Sequence, residues 1–411
     1  MRNTLAIAIA AAALAGCPSK KTDPVAAKDA AAPVIAIENE PVANAAHGKE
    51  LVLQFQCNRC HDGTGHPAAE DGKHCVHCHE NIMTDRFKAA PASIARWKPR
   101  VKELQFAPSL EATGARFSRT WVESYLLQPA DLRPHLHQYM PRLAITREDA
   151  RDIAAYLVPD AKEPKAEPLK ADLGKGRQLL ETKGCGSCHV MTGVAALPPS
   201  APPAMENFEK AHRLAPDLRF ARDRMSATKM QAWLADPKAV KPDTLMPKIA
   251  LTPEEIKDIT GYLLEAEVKP PPKPARFARL PVLDRKVTFK EVDEKVFHRT
   301  CWHCHSEPDF AIGDGGPGNS GGLGFKPRGL NLSDYAGIIA GDVDDKGERQ
   351  SIFAKDDKGV PRIVAALVAR HDEEEQGAET GKVRGMPLGY DALSAEEIQL
   401  VETWASQGRP K

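Results

Sequence analysis

Four short motifs, each a pair of cysteines separated by two residues and followed directly by a histidine, constrain the fold of this chain most. Nine cysteines occur among the 411 residues, and only Cys17 stands outside the motifs. In chain order, the motif cysteines are Cys57 and Cys60, Cys75 and Cys78, Cys185 and Cys188, and Cys301 and Cys304, and the histidines are His61, His79, His189 and His305. A metal or cofactor bound at these motifs would be held by two thiols and an imidazole at this spacing.

Three other uses of paired cysteines account for the pattern less well. The first two motifs have the spacing of a zinc ribbon, but the pairs that begin at Cys185 and Cys301 lie about a hundred residues from any other pair and could not complete a tetrahedral zinc site locally. A thioredoxin-type redox pair needs a preceding strand in a βαβ unit, which the sequence does not predict. A structural disulfide between cysteines this close is strained and uncommon.

The spacing is the one that attaches haem covalently. In c-type attachment the two thiols add to the two vinyl groups of haem, and the adjacent histidine binds the iron. The macrocycle is rigid, so the distance between its vinyl groups fixes the spacing of the cysteines. The sequence therefore predicts four covalently bound haem c groups, with the four motif histidines as iron ligands.

The first residues predict export and a lipid anchor. Arg2 supplies a positive charge, residues 4–16 form a short apolar run of small residues, and Cys17 follows the triplet Leu-Ala-Gly. This ending resembles the lipobox of bacterial lipoproteins, which implies acylation of Cys17 and attachment to a membrane. The alternative is an ordinary signal peptide cut near the same place. We expect an exported protein of the bacterial cell envelope that faces the periplasm or the exterior.

Composition bounds the partners and the fold class. Lys plus Arg and Asp plus Glu each total 56, so the chain lacks the net positive charge that binding to a nucleic-acid backbone requires. We therefore expect no nucleic-acid partner. Alternation of polar and apolar residues with the period of a strand is scarce, which predicts an all-α fold.

Three folded units in tandem are predicted, joined by proline-rich linkers. Residues 18–46 are dominated by Ala, Pro and Lys and cannot bury a core, and two later charged, proline-rich stretches indicate semi-rigid linkers. The predicted segments are a signal peptide over 1–17, a tether over 18–46, a first, dihaem unit over 47–158, a linker over 159–173, a second, monohaem unit over 174–267, a linker over 268–285 and a third, monohaem unit over 286–411.

An internal repeat supports this partition. The first two units each open with a glycine-containing segment that leads into the motif, and each carries Ala-Pro-x-Leu, at 107–110 and at 215–218. A Met-Pro dipeptide follows in each unit, and a last helix with a recognisable N-terminal cap comes after it. The Met-Pro methionines are Met140, Met246 and Met386, and the predicted caps are Thr146, Thr252 and Ser394.

The order of these features resembles class I cytochrome c domains, and the resemblance covers all three units. It implies that each unit is a small helical domain wrapped round a haem whose sixth iron ligand is methionine sulfur. On that mapping Met140 pairs with His61, Met246 with His189, and Met386 with His305. The third unit, with Gly-Gly-Leu after its motif, is similar to the cytochrome domains of planctomycete-type proteins.

The second motif departs from this pattern because it is inserted into the first unit without a domain of its own. The sixth ligand of a haem bound at His79 is therefore open. His135 and His137 lie near Met140 in the sequence, and His66, His74 and His77 lie close to the motif. Among these alternatives, His135 is the predicted ligand. Ligation by two histidines would give this haem a lower potential than the His/Met haems, and an empty site would make it reactive.

These features predict a carrier of electrons rather than an enzyme. An iron with histidine and methionine at both axial positions has no place for a substrate, so no residue is assigned a catalytic role. The expected partners are redox proteins of the envelope and the membrane that holds the lipid anchor. The alternative function is a multihaem peroxidase, or another reductase of small oxidants, with an open haem at His79. A third possibility is a subunit that relays electrons inside a larger complex.

Overall fold

Helices in this protein begin where the sequence supplies a side chain to satisfy the first backbone N–H groups. Thr146, Thr252 and Ser394 each accept a hydrogen bond from the third helical residue, whose carboxylate binds the backbone N–H of the cap in return. This reciprocal pair satisfies two donors that a helix leaves unpaired at its start. The three predicted helix starts are confirmed.

A computed structural model describes most of the chain. The described residues are 42–70, 73–99, 101, 106–129, 132–135, 140–159, 169–198, 200, 205–270, 275–306, 323–376 and 383–411. The chain divides into two units, 1–42 and 43–411, and only Val42 of the former is described. The predicted signal peptide, the lipidation site Cys17 and most of the tether lie outside the described residues, as does His137.

The fold is helix-rich, which agrees with the predicted class. The α-helices are α1 Ala45–Gln54, α2 Cys75–Met83, α3 Pro91–Trp97, α4 Thr113–Arg116, α5 Arg119–Leu127, α6 Arg147–Leu157, α7 Leu173–Thr182, α8 Phe208–Leu214, α9 Ala221–Arg224, α10 Ala227–Ala235, α11 Pro237–Val240, α12 Pro253–Glu265, α13 Phe289–Val292, α14 Tyr335–Ala340, α15 Arg362–Gln376 and α16 Ala395–Ser406. A π-helix spans Asp293–Cys301, and 3₁₀ turns span Cys57–Arg59, Cys185–Ser187 and Leu218–Phe220. Two short antiparallel strands, β1 Asp342–Val343 and β2 Arg349–Gln350, pair with Asp342 opposite Gln350. No helix among the described residues has both the length and the apolarity to cross a membrane.

Buried apolar side chains form four clusters. One joins α1, α5 and α6, and a second joins α7, α10 and α12. A third surrounds the fully buried Trp404 of α16, whose ring meets Phe297 of the π-helix edge-on. A small fourth cluster joins α2 and α3 around Ile82 and Trp97. The helix that carries the second motif, α2, therefore has its own small core. The boundaries of the three units remain predictions.

Glycine lets the first and last helices of two units cross closely. A Cβ atom on Gly48 of α1 would lie 1.9 Å from the carbonyl oxygen of Asp152 in α6, and one on Gly176 of α7 would lie 2.2 Å from that of Asp258 in α12. Neither distance is compatible with a side chain. The same two aspartates accept hydrogen bonds from backbone N–H groups at the starts of α1 and α7, at 2.8 and 3.0 Å. The glycine contact and the aspartate hydrogen bond therefore fix where α1 crosses α6 and where α7 crosses α12.

This crossing predicts opposite effects for two glycines of one helix. Gly176→Ala should lower the free energy of unfolding by about 2–3 kcal/mol, because backbone atoms of α12 would have to move away. Gly174→Ala on the exposed side of α7 should be neutral or stabilising by about 0.5–1 kcal/mol, because alanine restricts the unfolded chain. Chemical denaturation of the two variants measures the difference. Equal effects would contradict the close crossing.

Residues 43–411 form one compact unit, within which hydrogen bonds join the three predicted units. The N–H of Asp217 in the second unit donates to the carbonyl of Leu132 in the first unit, at 2.8 Å. Arg384 of the third unit donates to the carbonyl of Arg142 in the first, at 2.7 Å. The described part of the second linker is bound to the third unit, since the Leu283 N–H donates to Thr403 Oγ1 of α16 at 3.0 Å. The first unit thus packs against both others.

Candidate haem sites

The first and third motifs have the same local structure. The first motif follows α1 and the third follows α7. The residue just before each motif, Gln56 or Gly184, adopts a left-handed backbone conformation. A 3₁₀ turn then brings the His61 N–H to the carbonyl of Cys57 at 2.9 Å and the His189 N–H to that of Cys185 at 3.0 Å. The turn places both cysteines and the histidine within one short loop, as attachment to one macrocycle requires.

The histidines of these two motifs are oriented by a proline carbonyl. His61 Nδ1 donates to the Pro108 oxygen at 2.7 Å, and His189 Nδ1 donates to the Pro216 oxygen at 2.8 Å. Burial lowers the pKa of both imidazoles, which favours the neutral form. With the proton on Nδ1, the lone pair of Nε2 is available to a metal. The repeated Ala-Pro-x-Leu segment, whose role the sequence did not reveal, supplies these carbonyls.

The predicted methionine ligands lie in different surroundings. Met246 packs against the second core, and its sulfur accepts a hydrogen bond from Trp233 Nε1 at 2.9 Å. Met140 packs against the first core. The Met386 N–H donates to the Ala366 carbonyl of α15 at 3.0 Å. A thioether has two lone pairs, so the Trp233 contact fixes the sulfur of Met246 and leaves one pair for iron.

The fourth motif begins at the end of the π-helix. Burial lowers the pKa of His305 to about 4, and the backbone of Leu330 opposes this effect. The carbonyl of His305 accepts a hydrogen bond from the Leu332 N–H at 2.6 Å. A returning loop therefore again passes beside the motif histidine, but here the hydrogen bond goes to the backbone carbonyl and not to the imidazole.

The second motif lies on a regular α-helix. Cys75 is the first residue of α2, and His79 is buried on the same helix. The segment contacts the first motif: Arg59 Nε donates to the Lys73 carbonyl at 3.0 Å, and His77 Nε2 lies 3.1 Å from an Asp62 carboxylate oxygen. It also contacts the fourth motif through the imidazole of His303. Three motifs therefore meet around α2.

Comparison with known proteins identifies one of these sites. Residues 173–267 match the cytochrome c family. The same chain is 27% identical over 103 residues to cytochrome c oxidase subunit 2 of Alkalihalophilus pseudofirmus, an alignment that covers 25% of this chain and 28% of that protein. No solved structure matches the chain. This cytochrome c domain implies covalently bound haem c with its iron, and haem-based electron transfer.

The histidines considered as sixth ligand for the second motif have other contacts. His66 Nε2 donates to the Lys49 carbonyl at 2.7 Å. His135 stacks on His212 with ring centroids 4.1 Å apart, and His212 Nδ1 donates to the Ser187 carbonyl of the third motif, at 3.1 Å. The structure thus places His135 beside the cytochrome c domain.

His74 and His77 stack face to face, with ring centroids 3.6 Å apart, and both face the carboxylate of Asp62. This group resembles a metal site, but the N–H of His77 donates to His74 Nδ1 at 3.2 Å. The proton of a neutral His74 ring therefore sits on Nε2, which points toward Asp62. A protonated nitrogen cannot bind a metal, so the cluster fits a hydrogen-bonded clamp between the first two motifs better than an ion site.

Proposed function

We propose that this chain is a tetrahaem c-type cytochrome that relays electrons between redox proteins of the bacterial envelope. The observation that carries the proposal is the repeated orientation of His61 and His189, each buried and each held through Nδ1 by a proline carbonyl. The same arrangement in the cytochrome c domain and in the first unit supports extending haem attachment beyond the matched residues. Acylation of Cys17 would anchor the protein to a membrane.

Each predicted site needs three contributions from the chain. The cysteines of a motif would hold haem through thioethers, the motif histidine would bind the iron through Nε2, and a second side chain would be the other protein ligand of the iron. Haem would supply a one-electron couple, whose potential these ligands would set. With both ligands supplied by the protein, the iron would have no place for a substrate. This favours a carrier over a peroxidase.

Positive charge between the first and second units also suits this proposal. The guanidinium carbons of Arg116 and Arg224 lie 4.6 and 5.7 Å from the centroid of the Phe117 ring. Burial lowers the pKa of each guanidinium to about 10. Asp243 and Asp223 offset part of this positive charge, and the carboxylates of haem would supply further anions.

The test is a count of covalent haems. The purified protein should contain four haems per chain by the pyridine haemochrome assay, and Cys75→Ala/Cys78→Ala should contain three. Cys185→Ala/Cys188→Ala is the matched control in the cytochrome c domain and should also contain three. Four haems in the first double variant would remove the covalent assignment of the second motif and with it the tetrahaem proposal.

A further inference from the structure

The imidazole of His303 lies beside that of His79. His303 is the residue between the two cysteines of the fourth motif, and His79 is the last residue of the second. Their ring centroids are 6.1 Å apart and their planes are inclined by 52°. The two residues are distant in sequence, so only the packing of the third unit against α2 brings them together.

The separation matches two imidazoles that share one metal ion. Metal–imidazole nitrogen distances are about 2.0–2.1 Å, and a ring nitrogen lies about 1.1 Å from its own centroid, so two rings on opposite sides of a metal have centroids about 6.2–6.4 Å apart. The other close histidine pairs do not have this spacing. The ring centroids of His74 and His77 are 3.6 Å apart and those of His135 and His212 are 4.1 Å apart, which is direct stacking with no room for an ion between the ring faces.

The ring of His79 is enclosed by the protein, since His79 is only 3% exposed. Its neighbour His303 therefore meets it at the packed junction of the second and fourth motifs.

We propose that His303 is the sixth ligand of the haem attached at Cys75, Cys78 and His79. The assignment rests on the proposed function, because it requires haem at the second motif. It gives this haem two histidine ligands and no open position, so its potential should lie below those of the His/Met haems. The fourth motif would then contact two haems, its own through Cys301, Cys304 and His305 and a neighbouring one through His303.

The experiment compares His303→Gln with His77→Gln, which occupies the same position within the second motif. In the unsubstituted protein we expect four haems, one of them with the electron paramagnetic resonance signal of bis-histidine ferric haem, and no carbon monoxide binding. His303→Gln should keep four haems but lose that signal, gain a high-spin one, and bind about one equivalent of carbon monoxide. His77→Gln should match the unsubstituted protein.

Two further results keep the tests separate. A bis-histidine signal that persists in His303→Gln with four haems would overturn the ligand assignment and leave the tetrahaem proposal standing. Fewer than four haems in the unsubstituted protein would overturn the proposed function. If His303→Gln folds poorly, His303→Gly with added imidazole should recover the low-spin signal, because free imidazole can occupy the vacated position, and failure to recover it in a four-haem protein would count against the assignment.

Discussion

Replacing Met246 by alanine should lower the midpoint potential of one haem by roughly a tenth of a volt or more, because axial methionine stabilises the reduced iron and axial ligands set haem potentials over about 0.8 V. The sulfur of Met246 accepts a hydrogen bond from Trp233 Nε1 at 2.9 Å, which fixes its position. Water or another weak ligand would occupy the open position. The haem bound at His189 should then also bind carbon monoxide.

A spectroscopic redox titration measures this change, and Met230→Leu is the matched control. Met230 is a methionine of the same core, 3% exposed on α10, and leucine has a similar volume. Its titration should be unchanged. Trp233→Phe should give a smaller shift than Met246→Ala, because it removes the hydrogen bond and keeps the sulfur. An unaltered titration of Met246→Ala would exclude this methionine as a ligand.

The local features of the sites could be read from the sequence, because each depends on residues close together in the chain. The spacing of the motifs and the caps at Thr146, Thr252 and Ser394 are of this kind. The role of Pro108 and Pro216 was visible only as a repeated dipeptide. A carbonyl has no side-chain signature, so its contact with a histidine appears only when the loop returns to the motif.

Contacts between units could not be read from the sequence. The sequence offers only nearby histidines as the sixth ligand at His79, among them His135, which lies near Met140. In the structure His135 stacks on His212, and the imidazole of His303 in the fourth motif lies beside His79. Packing between units decides both positions, and one sequence carries no periodic pattern that reports it.

Glu373→Ala should lower the free energy of unfolding by about 3–5 kcal/mol, because it removes the carboxylate between two buried guanidinium groups. Glu373 is 3% exposed on α15. Its second carboxylate oxygen lies 3.7 Å from Arg142 Nε and 3.5 Å from Arg370 Nη1. The first accepts a hydrogen bond of 2.7 Å from the N–H of Gly385, the residue before Met386. The carboxylate thus ties the first unit to the segment that carries the predicted ligand of the third.

Chemical denaturation followed by circular dichroism measures the loss, and Asp345→Ala is the control for an exposed pair. Asp345 is paired with Arg328 at 3.0 Å but lies in solvent, so its removal should cost less than about 1 kcal/mol. Glu373→Gln separates the two roles of the carboxylate, since it retains an acceptor for the Gly385 N–H and removes the charge. A double-mutant cycle with Arg142→Ala isolates the pair that joins the units. A coupling energy near zero in that cycle would mean that Glu373 acts within the third unit alone, through Arg370 and Gly385.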